Sequence, residues 1–196
     1  VIVNEPPAIT FTLATIDNLC FGESNGSITL NVSGGSAPFT FIWSNGDTTQ
    51  NIGSLPADTY DVIITDSNYC QQLASAIIIQ PGAPLTASVE PNHVLCKGNP
   101  SGSANLSVQG GTAPYFFVWS NGSTLQNPDG LAAGTYTVTI TDNNGCEAYS
   151  GTVIEEPAEA LAITTTVVDA LCYNSSDGSI TVVANGGTTP YYFRWD

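Results

Sequence analysis

Residues 26–46 read Gly-Ser-Ile-Thr-Leu-Asn-Val-Ser-Gly-Gly-Ser-Ala-Pro-Phe-Thr-Phe-Ile-Trp-Ser-Asn-Gly. Apolar side chains take every second position: Ile28, Leu30 and Val32 in one run, Phe39, Phe41 and Trp43 in the next. An alternation of period two marks strands that bury one face. Gly34-Gly35 separates the runs, and Ser44-Asn45-Gly46 supplies the residues of a tight turn. Further along, Tyr60, Val62 and Ile64 form another stripe that ends at Asp66. No stretch of the chain carries a helical period. The chain reads as all-β.

The stretch is not unique. Trp43, Trp119 and Trp195 lie 76 residues apart (119 − 43; 195 − 119), and Cys20, Cys96 and Cys172 keep the same interval. Cys70 and Cys146 keep it too. Ala104, Leu106 and Val108 repeat the first core stripe, Ile180, Val182 and Ala184 repeat it again, and Tyr136, Val138 and Ile140 repeat the later one. So many matches in one register mean tandem copies of one unit. Proline-marked junctions place the first repeat at 7–80, the second at 81–156 and the N-terminal half of a third at 157–196. Residues 1–6 resemble Thr152–Pro157, so they are expected to be the last strand of a preceding repeat in a longer array.

Roughly seven short strands per copy, separated by Gly, Pro and Asn turns, fit an immunoglobulin-like β-sandwich. Leu55-Pro56-Ala57-Asp58-Thr59-Tyr60 and its counterpart ending at Tyr136 resemble a tyrosine corner. The expected core therefore includes Trp43, Trp119, Trp195, Tyr60 and Tyr136. Short junctions predict an elongated rod of tandem 76-residue sandwiches.

Composition narrows the function. Two basic residues, Lys97 and Arg194, face seventeen acids, for a net charge of −15. No basic footprint exists to neutralise phosphates, so nucleic acid is excluded as a partner. An anionic membrane surface would repel the chain, and no membrane insertion is expected.

The cysteines fit disulfides of an oxidising exterior better than metal thiolates, since no Cys-x-x-Cys occurs and His93 is not repeated. Two connectivities stand open for Cys20, Cys70, Cys96 and Cys146. Pairing within a repeat (Cys20–Cys70, Cys96–Cys146) must bridge opposite ends of a sandwich, roughly 20 Å apart. Pairing across a junction (Cys20–Cys146) joins the first loop of one repeat to the last loop of the next.

Catalysis is not expected: no nucleophile is paired with the lone histidine, the carboxylates are scattered, and the paired glycines read as turn residues. No cofactor is expected, with calcium at Asp66 and Asp142 the weak exception, because clustered turn oxygens can hold that ion. The competing role for these aspartates is to shape the turn through backbone hydrogen bonds. Outward aromatics such as Phe116 and Tyr192 could stack on sugars, or could simply favour strand structure.

The string from Cys20 to Gly46, followed by Leu55, Tyr60, Thr65-Asp66 and Cys70, resembles the SprB repeat of very large surface proteins of Bacteroidota. The second copy, with Ala133-Gly134-Thr135-Tyr136 and Thr141-Asp142-Asn143-Asn144-Gly145-Cys146, resembles it more closely; the first departs at Asp58 and Tyr69. The resemblance implies a segment of a cell-surface adhesin filament, exported by type IX secretion and used in gliding motility and attachment. Neighbouring repeats would then be its partners, with surface or polysaccharide contact made elsewhere. The alternative is an array of carbohydrate-binding modules appended to a secreted hydrolase.

Overall fold

The computed structural model describes residues 5–196, so the strand expected over 1–6 lies, for residues 1–4, outside the described residues. Glu5 to Ile9 are irregular, and β1 begins at Thr10 (Thr10–Ile16). It is followed by β2 (Gly26–Ser33), β3 (Thr40–Trp43), β4 (Ile52–Leu55), β5 (Asp58–Thr65) and β6 (Gln71–Ile78). Next come β7 (Thr86–Asn92), β8 (Ser103–Gln109), β9 (Phe116–Trp119), β10 (Gly134–Thr141) and β11 (Glu147–Ile154), then β12 (Ala162–Val168) and β13 (Ser179–Asn185). No helix occurs among the described residues, and hence none long and apolar enough to cross a membrane, which says nothing of a β-barrel.

The chain divides into two compact units. One takes the described residues through 86 together with 109–115 and 141–147; the other takes 87–108, 116–140 and 148–196.

The first unit contains a sandwich built from two antiparallel sheets, β1-β2-β4 and β3-β5-β6. The chain alternates between sheets from β2 to β5 before the β5–β6 hairpin, the connectivity of an immunoglobulin-like fold. Register aligns the inward rows: Leu13 faces Leu30, Phe41 faces Ile64, Trp43 faces Val62 and Tyr60 faces Ala76. Ile28 and Leu30 from one sheet and Trp43, Val62 and Ile64 from the other lie in one buried cluster. Fully burying a side chain of this kind contributes about 1.5–3 kcal/mol, so these alternating positions dominate the fold's stability. Gly26 lies where β2 passes closest to its neighbours. A Cβ there would come within 2.6 Å of the Ile78 side chain and 2.9 Å of the Leu55 carbonyl, which accounts for glycine at 26 and, in the same setting, at 102.

Among the described residues six strands form this sandwich. The segment before β4 is held by side chains instead: Leu30 N–H donates to Asn51 Oδ1 at 2.9 Å, and Gln50 Nε2 donates to the Leu30 carbonyl at 2.6 Å. Two amide side chains thus take up the backbone groups that a further strand would pair. Gln126 and Asn127 do the same for Leu106.

In the second unit, β9, β10 and β11 form one sheet in the order β11-β10-β9, and β7 pairs with β8. Ala104, Leu106, Trp119, Val138, Ile140 and Ile154 are buried. β12 and β13 pair in register from Ala162–Asn185 to Val168–Ser179, with almost every side chain exposed.

Two of the expected core residues are less covered than Trp43, Trp119 and Tyr60. Trp195 is 63% exposed, because residues 157–196 contribute a single two-stranded sheet with no facing layer to cover it. Tyr136 is half-buried where Tyr60 is buried. Asp58 precedes Tyr60, but Gly134 stands at the matching place, where even a Cβ would only just reach the Tyr136 ring at 3.8 Å.

Candidate functional site

Both tyrosines close the corner that their spacing predicts. Tyr60 Oη donates to the Pro56 carbonyl at 3.0 Å, and Tyr136 Oη to the Ala132 carbonyl at 3.1 Å. Burial and the nearby Asp58 carboxylate push the Tyr60 phenol above its ordinary value of 10.0. Each buried indole is also anchored, Trp43 Nε1 donating to the Thr49 carbonyl and Trp119 Nε1 to the Leu125 carbonyl, both at 2.8 Å.

The residues that converge most tightly lie at the ends of β5 and β10. Asp142 is almost fully buried, and its carboxylate accepts three backbone N–H groups: Asn144 at 2.8 Å and Cys146 at 2.9 Å on Oδ1, Thr112 at 2.8 Å on Oδ2. Asp66 repeats the arrangement with Asn68 and Cys70, both at 2.9 Å, and Ser36 at 3.1 Å. Burial alone would raise the Asp66 carboxyl, but the N–H groups of Cys70, Ser36 and Asn68, with the Cys70 thiol, outweigh it and hold the group below its ordinary value of 3.8. Each carboxylate is thus ringed by backbone donors, the bonding of an aspartate that shapes its turn. Among the described residues no cluster of His, Cys, Asp and Glu has the geometry to hold a metal ion. The aspartates shape the turn.

What the turn presents is a cysteine. Asp142 fixes the backbone of Cys146, and Cys146 is bonded to Cys20 with Cα atoms 5.7 Å apart at a sequence separation of 126. The bond lies within the first compact unit and joins the opening loop of the first sequence repeat to the closing hairpin of the second. Asn144 Nδ2 reinforces it by donating to the Leu19 carbonyl at 3.0 Å and to Thr112 Oγ1 at 3.1 Å. An open cavity of about 460 Å³ beside the bond is lined by Phe21, Glu23, Pro84, Leu85 and the two cysteines. Cys70 and Cys96, the within-repeat partners of the alternative connectivity, are exposed thiols, as is Cys172.

The remaining candidates stay apart. His93 accepts the Glu155 N–H on Nδ1 at 3.0 Å, tying two backbone segments together. Phe116 and Tyr192 are both exposed, the first on β9 and the second in an irregular segment after β13. Sequence reasoning missed Asn18. It is buried, receives the Asn25 and Gly26 N–H groups on Oδ1 at 2.9 and 2.7 Å, and donates from Nδ2 to the Leu55 carbonyl at 3.1 Å. Val94 stands 76 residues on, so the repeat pattern gave no signal for it.

No curated protein matches the sequence significantly. Among solved structures, the N-terminal four immunoglobulin domains of Dscam1 isoform 9.44 align with TM-score 0.36 and 12% identity over 78% of this chain and 46% of that one. The mouse nectin-like molecule 4 ectodomain aligns with TM-score 0.36 and 9% identity over 76% and 64%, and murine CEACAM1b with TM-score 0.29 and 16% identity over 68% and 93%. The chain thus spans less than half the length of that Dscam1 structure. The family model of the SprB repeat matches residues 12–48, 88–124 and 164–196. These spans take in the first three strands of each full copy and every one of the Trp and first-loop Cys positions, more than half of the sequence, and the chain belongs to the SprB repeat family.

Proposed function

We propose that this chain is a structural and adhesive segment of a very large cell-surface adhesin, in which tandem sandwiches at about 7–80, 81–156 and from 157 onward hold a distal contact region away from the cell. The observation that carries this reading is the Cys20–Cys146 bond in a chain of three SprB repeats. Joining one repeat to the next serves a protein that must transmit load. A catalyst or a lone binding module would gain little from it.

The other features agree. A disulfide belongs to an oxidising exterior, which supports an extracellular location on the bacterial outer surface. A charge of −15 spread over the repeats keeps such an array soluble and repelled by its own anionic envelope. Membership of the family supports export by type IX secretion and a role in gliding motility, with contact to surfaces or polysaccharides made by regions other than these repeats.

An antibody raised against this chain tests the proposal on intact cells of the producing organism. Labelling without permeabilisation, together with loss of surface attachment when the antibody is added, is the expected result. Labelling confined to permeabilised cells would overturn it, and specific sugar binding by the chain on a glycan array would move the function to a carbohydrate-binding module.

A further inference from the structure

The bonded corner of the first unit has a counterpart in the second. A shift of 76 positions takes Cys20 to Cys96, Phe21 to Lys97 and Pro84-Leu85 to Ala160-Leu161, and takes Leu19 and Thr112, which Asn144 joins beside the bond, to Leu95 and Thr188. These are the residues that line an open cavity of about 520 Å³, formed by Leu95, Cys96, Lys97, Ala160, Leu161 and Thr188 with their neighbours. Hydrogen bonds join the corresponding leucine and threonine in both corners, through Asn144 in the first and directly in the second. Leu19 offers its carbonyl to Asn144, which is bound to Thr112, and Leu95 offers its carbonyl to Thr188 Oγ1 at 3.2 Å. Gly145, Cys146 and Glu147 of the hairpin wall the first cavity, whereas Gly187, Thr188, Thr189 and Pro190 wall the second. Cys96 is an exposed thiol facing the second.

We propose that the loop at Leu95–Gly98 is the receiving half of a latch, and that its occupant is the Asp-x-Asn-x-Cys hairpin that a complete third repeat presents. Cys96 bonds the cysteine of that hairpin, 126 positions downstream, the separation already seen between Cys20 and Cys146. Cys70 is the presenting half of the same device. Its hairpin is capped by Asp66 as that of Cys146 is by Asp142, and Asn68 Nδ2 donates to Ser36 Oγ at 2.9 Å where Asn144 donates to Thr112. The general rule is that the first cysteine of each repeat bonds the second cysteine of the next. Forming each bond removes two electrons and two protons from a pair of thiols; an incoming disulfide accepts them by exchange through a mixed disulfide and leaves as two thiols.

The rule has a mechanical consequence. Successive bonds overlap, so the covalent route from Cys20 to Cys172 runs through one disulfide and the 26 residues that follow Cys146 (172 − 146). Unfolding every sandwich would leave that route intact. The latch is carried by the corresponding cavities and stands whether or not the array is an adhesin.

The test extends the chain by a copy of residues 121–156 after Asp196, oxidises it with glutathione disulfide and maps the cysteines without reduction. Cys96 is expected to bond the appended copy of Cys146 and to lose its reactivity toward a thiol reagent, while Cys70 and Cys172 keep theirs. Retention of Cys20–Cys146 shows that the rest of the molecule has folded. A bond from the appended cysteine to Cys172, or a free Cys96 beside an intact Cys20–Cys146, overturns the proposal. A second variant needs no extension: in Cys20→Ser, Cys146 is expected to remain a thiol, and a Cys96–Cys146 bond would contradict the rule.

Discussion

A buried carboxylate with three backbone donors is a sensitive object. At Asp66 the donors hold the carboxyl below 3.8, so the ionised form is the one the folded state favours. A group whose folded value is depressed stabilises the fold above its unfolded value, and that contribution is lost as pH falls through the folded value. Replacing Asp66 by Asn removes the charge and turns a donor toward N–H groups that need an acceptor. Urea unfolding at pH 7 should therefore show Asp66→Asn less stable than the parent chain, with the gap closing as the pH is lowered below 4. A gap that stays constant with pH would show that the charge plays no part. Both aspartates were legible from sequence as turn residues. Asn18 was not, because Val94 replaces it in the next copy and a repeat comparison discards such a position.

The elements were legible wherever burial imposed a period. Ile28, Leu30, Trp43, Val62 and Ile64 alternate in sequence and are buried in space, because one face of each strand meets the opposite sheet. Strand number was less legible. The Thr-x-Gln-Asn segments at 48–51 and 124–127 read as polar turn sequence, and nothing in their composition reveals that Gln and Asn engage the backbone of a neighbouring strand. Asn51→Ala would leave the N–H of Leu30, a part-buried donor, without its acceptor. The expected cost is about 1–3 kcal/mol in chemical denaturation, the ordinary penalty of an unsatisfied buried group. A change below a few tenths of a kcal/mol would mean that water replaces the side chain without loss. Trp195 shows the opposite limit: a core position is recognisable from period alone, but burial requires a facing sheet, and residues 157–196 contribute one layer.

At the scale of the whole molecule the disulfide dominates. The spacing of the cysteines was plain in the sequence, but their pairing was not, since period fixes which residues correspond and leaves open which ones meet. The deciding fact is that the Asp142 hairpin carries Cys146 to the loop of Cys20. Closing 126 residues in one loop stabilises the chain by about 5 kcal/mol in the chain-entropy model, more than a within-repeat bond would. It also sets how far the molecule can be stretched. Pulling a single oxidised chain by its ends should leave the residues between Cys20 and Cys146 out of the load path. Adding reductant should release that segment, a sequence separation of 126, and lengthen the fully unfolded chain by about 450 Å, at roughly 3.6 Å per residue. A gain of about 180 Å on reduction, at the same length per residue, would correspond to a Cys20–Cys70 loop and contradict a tension-bearing staple between repeats, as would no gain at all.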